Sequence, residues 1–285
     1  MRIITRTIWG ANLQTALLLG LPYETQTSST LNEKFNIRPE LKLDGRLPHV
    51  NYYCIGNGGH RMIHGADGVP YTSPINHRAS DAALFNHLPF VLRPLGEDLT
   101  IEQRERYALR KVETIRGEDY IAYYLKRMDL SSVAMFLEHT EVQKGVMKKT
   151  PFHATTDNLN PEHPELPHSG VITTDGNYLT SSAIITILFN ETDVRELIRV
   201  ALTLYENEQY AAISEIGLCS GVDQIVNASE SQGAFNYREA LDVQIATHIT
   251  GFYPVGYTNR GFELQIEAGA TEPMLGEGIQ HSDFG

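Results

Sequence analysis

The sequence predicts an α+β fold, with a mixed or antiparallel sheet, a few helices and a long irregular N-terminal arm. Segments with strand patterns outnumber segments with helical periodicity and do not alternate regularly with them, which disfavours a doubly wound sheet. Residues 241–250 alternate apolar and polar side chains, as a half-buried strand does. The stretch from about residue 21 to residue 98 is dense in turn-forming residues and lacks a helical period. A chain of 285 residues can bury a sizeable core without disulfide or metal cross-links.

Region 1–98 is predicted to contain a short helix followed by the arm. Residues 8–19 carry an apolar helical face, and Gly20 is typical of a helix end. Short strands are expected at 49–55 and 88–92. A stretch this long without clear elements is unusual inside a compact domain, which favours an arm that lies across a neighbouring molecule.

Region 99–150 is predicted to be a helical segment. Thr100 begins a capping-box pattern, and the apolar spacing that follows predicts a helix over 100–115. Two later stretches, 119–127 and 131–139, fit either a helix or a strand.

The C-terminal half is predicted to be a separate acidic α+β domain. Region 151–182 has the composition of a Pro- and His-rich loop, and region 183–285 forms the domain itself. The elements expected in this domain are strands at 183–189, 210–219, 241–250 and 261–268, and a helix at 191–205 capped by Asn190.

The charge distribution limits the class of protein. The net charge is −12, which excludes a generally basic nucleic-acid binder. The sequence contains no apolar run of the roughly 18 residues that a membrane-spanning helix needs. Residues 1–150 carry a net +3 and residues 151–285 a net −15. This split suits a basic half that meets an acidic half of the next subunit, although acidic residues that keep the C-terminal half soluble explain it equally well.

The glycine-rich segment Gly56–Gly65 contains His60 and His64, a composition that could serve a phosphate loop or a metal site. It has neither the spacing of a phosphate-binding loop nor the HEXXH pattern of a zinc helix. A tightly turned loop at a subunit contact is the favoured interpretation.

A second group of histidines, His153, His163 and His168, lies among prolines and glutamates that could bind a divalent ion. Histidines in an exposed acidic loop usually bind nothing specific. Cys219 with His248 as its base is a further hypothesis, but no local motif marks the pair as catalytic. The sequence therefore assigns no catalytic, cofactor-binding or metal-binding residue and no cofactor.

The two cysteines, Cys54 and Cys219, belong to no CxxC pair and are expected to be reduced and structural. The N-terminus lacks the unbroken apolar centre of a signal peptide, which favours a cytosolic context.

Three segments resemble parts of virion structural proteins of tailed bacteriophages. They are the turn-rich stretch 21–96, the turn Asp175-Gly176-Asn177-Tyr178 that leads into 181–187, and Ala212–Gly221, which is similar to strand-and-turn stretches of phage tail, neck and baseplate components. The resemblance implies a non-enzymatic subunit of a homo-oligomeric ring or sleeve at the head–tail neck, as a collar or connector. It further implies a location in the virion, assembly in the host cytoplasm, and contacts with copies of itself and with other virion proteins, without membrane or sequence-specific nucleic-acid binding.

Two alternatives stay open at this point. The first is a baseplate or tail structural component. The second belongs to another class, a cytosolic metal-dependent hydrolase that uses the histidine-rich loops.

Overall fold

The computed structural model describes residues 2–38, 43, 45–66, 68–143, 146–160, 177–230, 233–255 and 260–274. Its strands are β1 (Ile3–Arg6), β2 (His49–Gly56), β3 (His60–His64), β4 (Pro70–Pro74), β5 (His87–Leu88), β6 (Val91–Pro94), β7 (Tyr107–Ile115), β8 (Glu118–Arg127), β9 (Met135–Gln143), β10 (Val146–Pro151), β11 (Asn177–Phe189), β12 (Ala212–Glu230), β13 (Gly233–Pro254) and β14 (Phe262–Pro273). Its α-helices are α1 (Ile8–Leu19), α2 (Leu31–Lys34), α3 (Ile101–Arg104), α4 (Thr156–Leu159) and α5 (Glu191–Tyr205).

The strands form three sheets. The largest has eight strands in the order β1-β13-β12-β2-β8-β6, with β5 also paired to β2 and β7 to β8, and its pairings are antiparallel. A four-stranded sheet has the order β10-β9-β11-β14, and β3 pairs with β4. The chain divides into two compact units, one of Met1–Asp129 with Leu188–Phe262 and one of Leu130–Ile187 with Glu263–Gly285. The predicted α+β class is thus confirmed, although sheet predominates.

Helix α1 has the predicted bounds. The side chain of Thr7 accepts the N–H of Gly10 at 3.0 Å and so caps the helix. Gly20 ends it in the left-handed region, with φ of 62°, where a residue without Cβ is least strained. Leu13 and Ala16 face the interior.

The predicted N-terminal arm is wrong. Strand β2 lies inside the eight-stranded sheet, where it pairs with β12 on one edge and with β8 and β5 on the other. The side chains of Tyr52, Tyr53, Cys54 and Ile55 are buried there. Turn-forming residues are frequent because the connections between these short strands are tight, and the segment folds onto its own chain.

The predicted helix over 100–115 is also wrong beyond its first turn. The capping box at Thr100 exists, but α3 ends at Arg104 and strand β7 follows. Arg116 and Gly117 have φ of 54° and 86° and form a two-residue turn between β7 and β8. Positive φ at both central residues is the geometry that suits the twist of a hairpin, so pairing with β8 overrides the local helical pattern.

Helix α5 has the predicted bounds and cap. Asn190 accepts the N–H of Asp193 at 3.0 Å, and the Asp193 carboxylate accepts the N–H of Asn190 at 3.1 Å. Lys126 Nζ lies 2.8 Å from Asp193 Oδ1 and ties the helix start to β8. The reciprocal cap explains why this helix could be located from sequence.

Residues 240–250 of β13 are largely buried on both faces, whereas the alternation over 241–250 predicted a half-buried strand. On the polar face, Gln244 contacts the side chains of Tyr23 and Ser29, and His248 lies against the backbone of Asp81. Contacts with other elements therefore cover Gln244 and His248, two polar side chains that the alternation assigned to solvent. Much of the predicted loop 151–182 lies outside the described residues, and its end, 177–182, belongs to β11.

Candidate functional site

The carboxylate of Glu215 on β12 is fully buried. Its Oε1 accepts the N–H groups of Gly58 at 2.7 Å and Asn86 at 3.2 Å. Its Oε2 accepts the N–H of Phe85 at 2.7 Å and lies 2.9 Å from Nε2 of His77. These three N–H groups and the ring of His77 compensate for the desolvation of the carboxylate. Glu215 thereby holds two loops against β12, the loop after β2 and the loop between β4 and β5.

His77 lies between two carboxylates and between two rings. Its Nδ1 is 3.1 Å from Oδ2 of Asp81, opposite the contact of its Nε2 with Glu215. Its imidazole stacks on Phe85 at 4.0 Å and on His248 at 3.9 Å between ring centroids. Each ring nitrogen of His77 therefore has a carboxylate oxygen as its hydrogen-bond partner.

Burial and the proximity of His77 lower the pKa of His248 to about 4, so this histidine is neutral at physiological pH. Burial alone would raise the pKa of Asp81, but the N–H of Arg78 and the contact with His77 outweigh it and lower that pKa. The ring of His77 therefore lies between an Asp81 whose ionised form is favoured and a neutral His248.

The Glu215 contacts explain the glycine-rich segment. A Cβ on Gly59 would lie 2.5 Å from the carbonyl oxygen of Ser214 and closer still to Cγ of Glu215. A Cβ on Gly58 would lie 2.9 Å from Glu215 Oε1. Glycine is required here because the backbone closes around a protein carboxylate.

His60 and His64 stand at the two ends of strand β3. Residues four apart on a strand are separated by about 13 Å, so the pair is too far apart to hold one ion. His153 is described and exposed, whereas His163 and His168 lie outside the described residues. Within the described part of the chain, no three His, Cys, Asp or Glu side chains are grouped closely enough to hold a metal ion.

The two cysteines are free and lie side by side. Cys54 and Cys219 stand on the neighbouring strands β2 and β12 with their Sγ atoms 3.6 Å apart, and both are fully buried. Burial raises the pKa of the Cys219 thiol. A buried, protonated thiol is a poor nucleophile, which argues against the hypothesis of a catalytic Cys219.

A pocket of about 550 Å³ with polar and apolar walls opens near the Glu215 cluster. Its walls include the amides of Asn57 and Asn86 and the rings of Tyr205, Tyr210 and Phe252. Asn86 Nδ2 donates to Tyr205 Oη at 3.0 Å, so part of the polar lining is already paired. The pocket offers hydrogen bonds and aromatic surface.

Exposed apolar side chains on α1 and just beyond its end are here called the α1 patch. They are Ile8, Leu17, Leu18 and Leu19 of the helix together with Leu21, and Leu18 is 81% exposed. The helix contains no charged residue. Large apolar side chains exposed together at one helix end normally pack against another surface.

A second apolar surface, the β9–β10 patch, lies on the four-stranded sheet. It consists of Met135, Phe136, Leu137, Val146 and Met147, all of them exposed. Neighbouring residues in a strand point to opposite faces, so the patch has members on both faces of the sheet. Large apolar side chains exposed on both faces of one sheet favour a contact with another molecule.

A family model matches residues 1–282 of the chain. The chain belongs to DUF7208, a family of unknown function. No curated protein and no solved structure matches it. Among the described residues, no helix of this DUF7208 member has the length and apolar character needed to span a membrane.

Sequence reasoning missed the two features that organise this part of the molecule, the Glu215 cluster and the cysteine pair. The one signal of the cluster was the glycine-rich segment, since such glycines indicate a close approach of the backbone to another group. Nothing local indicated that Glu215 was that group.

Proposed function

We propose that this protein is a non-enzymatic structural subunit that assembles with copies of itself into a ring or sleeve. The α1 patch carries the proposal. Three leucines and an isoleucine on a helix without charge, with Leu21 just after its end, would be costly to leave in water, and contact with a neighbouring subunit would cover them.

The β9–β10 patch supports the same conclusion independently. It lies in the other compact unit and carries different residues from the α1 patch. Two unlike surfaces on one subunit suit a head-to-tail contact between copies. Such a contact forms a closed ring when the rotation from one copy to the next is a whole fraction of a full turn.

The resemblance of Ala212–Gly221 to phage tail, neck and baseplate components favours the neck of a tailed-phage particle, as a collar or connector. The charge split between the halves of the chain is compatible with head-to-tail assembly. A position in the tail or baseplate is the alternative within the same class, and images of assembled particles distinguish the two.

The proposal is tested by the oligomeric state of the purified protein and of the variant Leu18→Glu, measured by mass photometry. The expected result is a closed oligomer for the wild type and loss of that oligomer for Leu18→Glu, with unchanged circular dichroism. Arg195→Glu is the matched control, because Arg195 is also exposed on a helix and its side chain is 65% accessible. A wild-type monomer at every concentration, or equal assembly by all three proteins, would overturn the proposal.

A further inference from the structure

The four-stranded sheet β10-β9-β11-β14 has two edges that no other strand pairs within the described residues. Strand β9 is antiparallel to β10 and to β11. Strand β14 is antiparallel to β11, since Asn177 faces Met274, Thr180 faces Thr271 and Phe189 stacks on Phe262. The edge strands β10 and β14 therefore run in opposite directions.

This alternation has a geometric consequence. When a second copy is placed beside the first in the same orientation, its β14 is antiparallel to β10 of the first copy. The pattern of the sheet then continues unbroken from one copy to the next, and no strand has to be reversed. Unpaired edge strands are templates for such pairing, and a protein that remains a monomer must block them.

The two edges carry opposite charge. Strand β10 contains Lys148 and Lys149, whereas β14 contains Glu263, Glu267 and Glu272. The alternation of side chains and the facing pairs place Lys149 on the same face as Glu263 and Glu267, and Lys148 on the same face as Glu272. In an antiparallel pair, residues of opposite charge on one face attract each other across the strands.

Within one chain, Lys149 Nζ already lies 3.4 Å from carboxylate oxygens of Glu138 and of Glu267. Its side chain is 39% exposed, and that of Glu267 48%. Exposed ion pairs of this kind contribute little to stability, so the same groups can exchange to the equivalent residues of a neighbour.

We propose that β10 of one copy pairs with β14 of the next copy, so that the four-stranded sheets of successive copies join into one continuous antiparallel sheet. The proposal rests on the proposed function and specifies its contact. The backbone hydrogen bonds of the two edges hold the copies together, and the lysines and glutamates favour this edge pairing over the pairing of two like edges. The contact is heterologous, so each copy uses both edges.

The double variant Val146→Cys with Ala270→Cys tests the contact by cross-linking. Both residues are exposed and lie on one face of the sheet at the two edges, and neither is charged. With a short bis-maleimide, the double variant should give a ladder of covalent dimers, trimers and higher species on a denaturing gel. Each single-cysteine variant should give no ladder, and the wild type, whose two cysteines are buried, should give no cross-link.

Charge reversal provides the second arm. Lys148→Glu with Lys149→Glu should weaken assembly, and the further changes Glu267→Lys and Glu272→Lys in the same chain should restore it. Reversal of Arg195 and Arg199, exposed on α5, is the matched control and should leave assembly unchanged. Wild-type oligomers whose double-cysteine variant gives no ladder would refute the edge pairing and leave the proposed function standing, whereas a wild-type monomer would refute both.

Discussion

Nε2 of His77 lies 2.9 Å from Oε2 of Glu215, and both side chains are almost fully buried. The contact joins residues 138 positions apart in the sequence. Buried ionic groups are stable only when every partner is present, because each lost donor leaves charge desolvated without compensation. The cluster therefore supports the end of the large sheet and should be sensitive to the removal of one member.

Replacement of Glu215 by Gln should lower the free energy of unfolding by about 3 kcal/mol or more. The amide NH₂ would face backbone N–H groups that now donate to an oxygen, so at least one of them loses its acceptor. Chemical denaturation at one fixed protein concentration measures the effect. Glu24→Gln, at an exposed position outside the proposed contacts, is the control, and an equal effect of the two substitutions would contradict the structural role of Glu215.

His248 should make stability depend on pH. Its folded pKa of about 4 lies below the ordinary value near 6.5, so its contribution is complete above pH 6.5 and is lost as the pH falls towards 4. The total loss is about 3 kcal/mol. The difference in unfolding free energy between the wild type and His248→Gln should shrink over that interval. A stability difference between the wild type and His248→Gln that stays constant over that interval would show that this account of His248 is wrong.

Gly59→Ala should lower the free energy of unfolding by several kcal/mol, because the new Cβ would lie 2.5 Å from the carbonyl oxygen of Ser214. This oxygen belongs to the backbone, so no side-chain rotation relieves the clash. Thermal unfolding measures the change. Ala82→Ser, at a half-buried loop position nearby, is a control that adds one atom without this backbone clash. A Gly59→Ala variant as stable as the wild type would contradict the close approach.

Cys54 and Cys219 should both resist maleimide in the native protein and both react in denaturant. Each is fully buried, and the Cys219 thiol is protonated because burial raises its pKa. Mass spectrometry after brief labelling counts the modified thiols. Rapid native labelling of either cysteine would show that strands β2 and β12 do not enclose them as described.

Local signals located the elements whose ends are set by nearby residues. Helix α1 could be predicted because its cap and its terminal glycine are adjacent to it, and α5 because Asn190 and Asp193 cap each other. The prediction of a helix over 100–115 was wrong because the spacing of apolar residues does not reveal that β7 pairs with β8. The prediction of an N-terminal arm was wrong for a related reason. Strand β2 pairs with β12, which lies far along the chain, and no local pattern indicates this pairing.

The candidate site was less predictable than the fold. The Glu215 cluster draws on loops far from β12 in sequence, and the cysteines meet only because β2 lies beside β12. The exposed leucines of α1 were visible in the sequence, but only the structure reveals which of them the rest of the chain leaves uncovered.

Negative-stain electron microscopy of the purified full-length protein tests the central claim most directly. Self-assembly predicts class averages of closed rings or stacked sleeves with one repeating number of subunits. A field of single compact particles, each of the size expected for one 31.9 kDa chain at every concentration, would contradict it.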